Sequence, residues 1–149
     1  MIRRELRENT FKMLFRKEFH NQEDLEEQFE LFVEFIDDTE EERFFENVQD
    51  EEVPGMKEED REYIYERFMD LLGKLEEIDE KIDAVAEGWK ISRMSKVDLT
   101  IIRLAVYEIG YDEDIPVGVA INEAVELAKK YGGDDSPSFV NGILAKLAR

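Results

Sequence analysis

The sequence has no cysteine, one histidine, one tryptophan and only three prolines in 149 residues. Without cysteine there is no disulfide framework, no thiolate metal site and no thiol nucleophile, a composition that fits a reducing compartment. The single imidazole, His20, has no second ligand at a metal-binding spacing, which removes the common histidine-based zinc sites. No run approaches the roughly 18 apolar residues of a membrane span. The N-terminal MIRRELRENTF has no apolar stretch after its arginines, as a signal peptide would need. A cytoplasmic protein without membrane contact is expected. Phosphate-cradling GxxxxGK and nucleophile-bearing GxSxG are absent, and DEDIPVG at 112–118 lacks the glycine and the closing glutamate of a calcium loop. Among 39 carboxylates, acidic pairs arise by chance. No catalytic residue, metal site or cofactor is therefore expected.

What is present is apolar enough to fold. Apolar residues make up 42% of the chain and aromatics 11%, too much for a disordered polypeptide even with 40% charged residues. The length suits a single domain with one core. A formal charge of -19 argues against a polyanionic partner until its distribution is read. Residues 1–20 carry six basic and three acidic side chains, net +3; residues 21–83 carry six and 26, net -20; residues 84–149 carry eight and ten, net -2. A positive N-terminal end on a negative body can steer a polyanion to one place.

Helical spacing dominates. Leu6, Thr10, Met13 and Leu14, with Phe11 and Phe15, form one apolar face, preceded by Arg3 and Arg7 one turn apart. Leu25, Phe29, Phe32, Val33 and Ile36 form a second. The acidic segment 37–57, with its Pro-Gly turn signal, predicts a mobile connection holding at most a short helix opened by Thr39. From about Glu58, a periodic run through Ile64, Phe68, Leu71, Leu72, Leu75, Ile78, Ile82 and Val85 predicts one long helix that tolerates Gly73 and bridges two halves. Ser95 and Asp98 have the spacing of a capping box before LTIIRLAVYEIGY, whose only charges between Leu99 and Ile109 are Arg103 and Glu108. That helix is expected at the centre of the fold. Two more follow, from near Pro116 to Tyr131 and from Ser136 to about Ala148. The fold class is all-α, with about seven helices in one domain over 1–149, the halves being about 1–86 and 87–149.

KKYGGDDSPSFVNGIL at 129–144 breaks one helix and restarts another awkwardly. Gly132 and Gly133 are expected to supply a left-handed helix end, and Ser136 to cap the next helix with Pro137 at its first position. Asn141 and Gly142 are poor helix-interior residues, so an amide bond or the close approach of a neighbouring backbone is expected there.

INEAVELAKKYG at 121–132 followed by SPSFVNGIL at 136–144 resembles the C-terminal signature of NusB-type transcription antitermination factors. WKISRMSKVDLTIIRLAVYE at 89–108 is similar to that family's central segment, and RRELRENTFKMLF at 3–15 to its arginine-rich first helix. Departures are Glu5 within the arginine cluster, the unusually acidic insert at 37–57, and Pro137 and Ser138 where some members carry His and Lys.

The resemblance implies an all-helical protein of two small bundles without catalytic activity. It implies binding of single-stranded boxA-type RNA of ribosomal RNA transcripts together with NusE, a small-subunit ribosomal protein, in the transcription elongation complex. The broken helix would then present a glycine-rich turn and the N-terminal end of the last helix, including Ser136, to RNA beside the arginines, with backbone amides as an anion site. Arg3, Arg4 and Arg7 would contact phosphates or stack on bases; the alternative is a solvated helix start. Phe139 is either a stacking platform or core. Asp135 corresponds to a loop position at the family's RNA edge, although a carboxylate repels phosphate and a capping role is the alternative. Asp98 matches an acidic position that meets NusE, compatible with capping its own helix. Trp89 is expected to be a packing residue. Two other readings stay open: an acidic helical protein-interaction module without specific RNA binding, and the related module at the front of ribosomal RNA cytosine methyltransferases. For the latter, the end at Arg149 leaves no methyltransferase domain to be expected.

Overall fold

The computed structural model describes residues 1–19, 24–35 and 56–148. His20, Ile36 and nearly all of the acidic connection, with its predicted short helix after Thr39, lie outside the described residues. Among the described residues there are seven α-helices and no strand: α1 (Arg3–Lys17), α2 (25–35), α3 (Glu58–Gly73), α4 (Leu75–Val85), α5 (Lys96–Tyr111), α6 (Val117–Tyr131) and α7 (Ser136–Leu147), with a 3-10 turn at Ile91–Arg93. The fold is all-α. The chain divides into two compact units, Met1–Phe68 and Met69–Arg149, the boundary falling within the sequence of α3 and before residue 86.

In the first unit the spacing read from the sequence is what becomes buried. Phe11, Met13 and Leu14 of α1, Leu25, Phe29, Phe32 and Val33 of α2, and Ile64 and Phe68 of α3 are each at most 7% exposed. Thr10 joins them because its Oγ1 donates to the Leu6 carbonyl at 2.8 Å, satisfying a hydroxyl that burial would otherwise leave bare. Cross-links are aromatic and ionic. Phe29 and Tyr65 rings lie 4.9 Å apart, and the Arg16 guanidinium sits over Phe32 while donating to the Gln28 carbonyl.

The long helix expected from Glu58 onward is two helices. Gly73 ends α3, and Lys74, at φ -107° and ψ 7°, interrupts the helical backbone before α4 begins at Leu75. The break costs little because Gly73 contributes no side chain to any packing, and Lys74 is held by Asp70 at 2.6 Å. In the second unit α5 is central, packed by α4, α6 and α7. Every residue from Leu99 to Glu108 except Arg103 is buried. Arg103 meets Asp79 of α4 through two hydrogen bonds of 2.8 and 2.9 Å, and Tyr107 donates to Asp70 at 2.6 Å. On α6, the buried Ala120, Ala124 and Ala128 recur every fourth residue, a stripe small enough for close approach to α5 and α7.

Candidate nucleic-acid interface

The first unit holds the arginines. Arg3 and Arg4 are exposed in the first turn of α1 and Arg7 is half-buried one turn later. Ile2 caps the helix without any side-chain bond, and two cations in a first turn oppose the helix dipole, a cost of roughly 0.3–1 kcal/mol each. The helix start is nevertheless anchored. The Met1 amino group is 3.0 Å from Asp60 of α3 with both groups nearly buried, and the Asn9 amide donates to Met1 Sδ at 3.3 Å. A cleft of about 490 Å³ in the same unit is lined by Glu26, Glu27, Glu30, Glu58 and Glu62, with Arg61, Phe29 and Tyr65. Five carboxylates against one guanidinium make that cleft repellent to phosphate, which leaves α1 as the unit's cationic surface.

The second unit holds the broken helix, and the turn is built differently from the sequence expectation. Neither Gly132 nor Gly133 is left-handed: Gly132 is extended, at φ -92° and ψ -175°, and only Gly88 has a positive φ among the described residues. Gly132 is required for space. A Cβ there would lie 2.5 Å from both Cβ and Oγ of Ser136 and 2.8 Å from the Ala128 carbonyl oxygen. Ser136 is not the cap. It is the first residue of α7, buried, and its hydroxyl reaches backward to accept from the Gly133 amide at 3.0 Å. Asp135 occupies the cap position without a side-chain capping bond and is exposed.

The amide-lined anion site expected at this helix end is largely consumed. The Ser136 amide donates to the Gly133 carbonyl, Pro137 has no N–H, and the Phe139 amide donates to the Asp135 carbonyl. With Asp134 and Asp135 both exposed beside it, the end of α7 is a poor phosphate cradle. It presents instead a half-buried Phe139. Its ring lies 5.5 Å from Trp89 at an interplanar angle of 66°. Trp89, expected as a packing residue, is 56% exposed. Its place in the sequence, the only tryptophan between Gly88 and Lys90, was the available signal that it is not core.

Asn141 and Gly142 do not meet a close backbone. Both are exposed, and a Cβ at Gly142 would have nothing within 4 Å. The steric constraint expected there belongs to Gly132.

Asp98 lies in the first turn of α5. The predicted cap is Ser95, whose Oγ accepts from the Asp98 amide at 3.1 Å, but the reciprocal half of a capping box is not made. Asp98 Oδ1 is enclosed without a hydrogen-bond partner among the described residues. Farther along α5, the Tyr111 hydroxyl donates to Glu77 at 2.5 Å, which raises its pKa above the ordinary value, with Lys74 and Lys81 over the ring. Among the described residues no group of His, Asp or Glu is arranged to hold a metal ion, and no helix is long and apolar enough to cross a membrane.

The family comparison matches the whole helical pattern. The NusB family model covers residues 4–149. The transcription antitermination protein NusB of Agathobacter rectalis is 49% identical over 148 residues, spanning 99% of this chain and all of the relative. Among solved structures, T. maritima NusB superposes with a TM-score of 0.78 at 34% identity, covering 99% of this chain and 91% of that one. A chain from a crystal structure of antitermination factors NusB and NusE in complex with dsRNA superposes at 0.67 and 24% identity, covering 99% and 97%, a likeness of fold alone. With helix order, central α5 and full-length similarity in agreement, the chain belongs to the NusB family.

Proposed function

We propose that this antitermination factor binds single-stranded boxA-type RNA of ribosomal transcripts together with NusE, within the transcription elongation complex. The observation that carries the reading is the arginine-rich start of α1: Arg3, Arg4 and Arg7 on a net +3 segment of a chain whose next 63 residues carry net -20. Two of the three are exposed, and all stand on a helix end tied down by the Met1–Asp60 pair. Phosphate contact is their role, with Phe139 offering a ring to a base from the second unit. Asp135, before α7 in the second unit, is an exposed carboxylate that disfavours backbone phosphate, and Ser136 acts through the turn that sets Phe139 rather than by touching RNA. NusE, a basic ribosomal protein by the family resemblance, docks at the half-buried Asp98 in the first turn of α5.

The test is the salt dependence of binding to labelled boxA-type RNA, measured with and without NusE. Replacing Arg3, Arg4 and Arg7 by Ala should lower the slope of log K against log salt by about 0.7 for each phosphate that is no longer neutralised. An unchanged slope removes the arginines from the interface. Absence of RNA binding by the parent under both conditions leaves the other reading, an acidic module that binds protein only.

A further inference from the structure

We propose that Trp89, paired with Phe139, is an aromatic platform on which an unpaired RNA base stacks. The inference rests on the RNA-binding reading and adds to it a residue that the spacing alone would assign to packing. Its first support is what the fold does with the side chain. Tryptophan is the largest apolar side chain available, and enclosing it would contribute more to stability than enclosing any other. Here more than half of it faces solvent. That exposure is imposed by the backbone: α4 ends at Val85, Gly88 takes a left-handed φ of 80°, and the Trp89 amide donates to the Ala86 carbonyl at 2.6 Å. The tight turn swings residue 89 outward, and a left-handed φ is a conformation that only glycine adopts cheaply.

The second support is the geometry of the pair. Centroids 5.5 Å apart at 66° define an edge-to-face contact, which steadies both rings but, unlike a parallel stack, leaves ring faces uncovered by the partner ring. A half-buried Phe139 and an exposed Trp89 give a base one anchored and one accessible surface.

The third is charge. Residues 88–97 carry Lys90, Arg93 and Lys96 and no acid, and residues 136–149 carry Lys146 and Arg149 and no acid, in a chain with 39 carboxylates. The two aromatic rings come from these two acid-free stretches. Glu87, the acid nearest Trp89 in sequence, is paired with Lys146 at 3.3 Å. The carboxylates of Asp134 and Asp135 and the consumed amides at the start of α7 disfavour phosphate beside Phe139, so a base presented edgewise from its backbone suits this surface better than a backbone laid along it. Stacking on aromatics accepts any base and does not depend on amide donors.

Because Trp89 is the only tryptophan, its emission reports the site directly. The full-length protein is titrated with a single-stranded boxA-type oligonucleotide, following tryptophan emission and, in parallel, the anisotropy of the same RNA carrying a dye. Trp89→Phe supplies the baseline when NusE is included. The expected result is quenching of Trp89 emission that tracks the anisotropy curve. Trp89→Ala should weaken RNA binding about 5- to 150-fold, with Trp89→Phe recovering most of the loss and both variants remaining folded by circular dichroism at the titration temperature. RNA binding with unchanged emission and an unchanged affinity of Trp89→Ala overturns the platform and leaves the RNA reading standing. Loss of NusE affinity by Trp89→Ala in the absence of RNA, with RNA affinity unaltered, overturns it in favour of a protein-docking surface. No RNA binding by the parent, with or without NusE, overturns both.

Discussion

The same substitution ten residues apart in this chain should have opposite signs. Gly132→Ala places a methyl carbon 2.5 Å from Ser136 Cβ and Oγ and 2.8 Å from a backbone carbonyl oxygen of α6, nearly an ångström inside ordinary contact. Truncating Ser136 to Ala would not relieve it, since the Cβ itself is one of the clashing atoms. The turn must open, and overpacking of this kind costs about 1–3 kcal/mol. At roughly 2–4 °C per kcal/mol for a chain of this size, the melting temperature should fall by about 2–12 °C. Gly142→Ala adds its methyl to an exposed helix interior with nothing within 4 Å. There the gain in helix propensity is about 0.5–1 kcal/mol, and melting should rise by about 1–4 °C. Thermal unfolding followed by circular dichroism at 222 nm measures both. A Gly132→Ala protein that melts with or above the parent would refute the steric account of the turn. A Gly142→Ala protein that melts below the parent would revive the close backbone contact that the structure lacks.

Asp98→Lys should abolish most NusE affinity while leaving RNA affinity in the absence of NusE unchanged, because Asp98 acts on RNA only through that partner; a large loss of RNA binding without partner would place Asp98 elsewhere. By linkage, RNA and NusE should raise each other's affinity by one common factor, which titrations in both orders can check. Asp79→Ala removes both hydrogen bonds of the nearly buried Arg103 to α4 and should cost about 1–3 kcal/mol in denaturant titration, with no effect expected on RNA affinity at temperatures where the variant stays folded. Tyr111→Phe tests the raised phenol. Its folded pKa lies above the ordinary 10.0 chiefly because of the bond to Glu77, so the stabilisation is complete below pH 10 and lost as pH climbs through the folded value. The parent should therefore melt above the variant at neutral pH and converge on it in alkali; a gap that widens above pH 10 would contradict the assignment.

Much of this protein was legible in one dimension because helix burial follows a local rule. The i, i+3, i+4 spacing on α1, α2 and α3 names most of the residues that are buried, since a helix presents one stripe to its neighbours whatever those neighbours are. Ser95 could be assigned as a cap from its place before an apolar run. An almost wholly apolar α5 has no solvent face to offer and therefore lies at the centre of its unit. Charge counting located the arginines on the one cationic end, and the three sequence blocks carried the family. All of these depend on order along the chain.

Tertiary structure decided whatever depends on the atoms that arrive from elsewhere. Gly73 interrupts nothing in the hydrophobic period, yet α3 ends there and α4, which packs on α5, begins at Leu75 after Lys74 leaves the helical conformation. Gly132, Gly133 and Gly142 look alike in sequence. Only the return of Ser136 onto the end of α6 makes the first indispensable, and only the solvent around α7 makes the last replaceable. Ser136 does not cap α7 because its hydroxyl is taken by the Gly133 amide, and Asp135 stands at the cap position without a side-chain bond. Trp89 is apolar by composition and exposed by position, since a left-handed glycine turns it away from the core into an edge-to-face contact with Phe139. Sequence spacing records which side of its own helix a residue occupies; whether another atom fills the space beside it is set by the packing of segments distant along the chain.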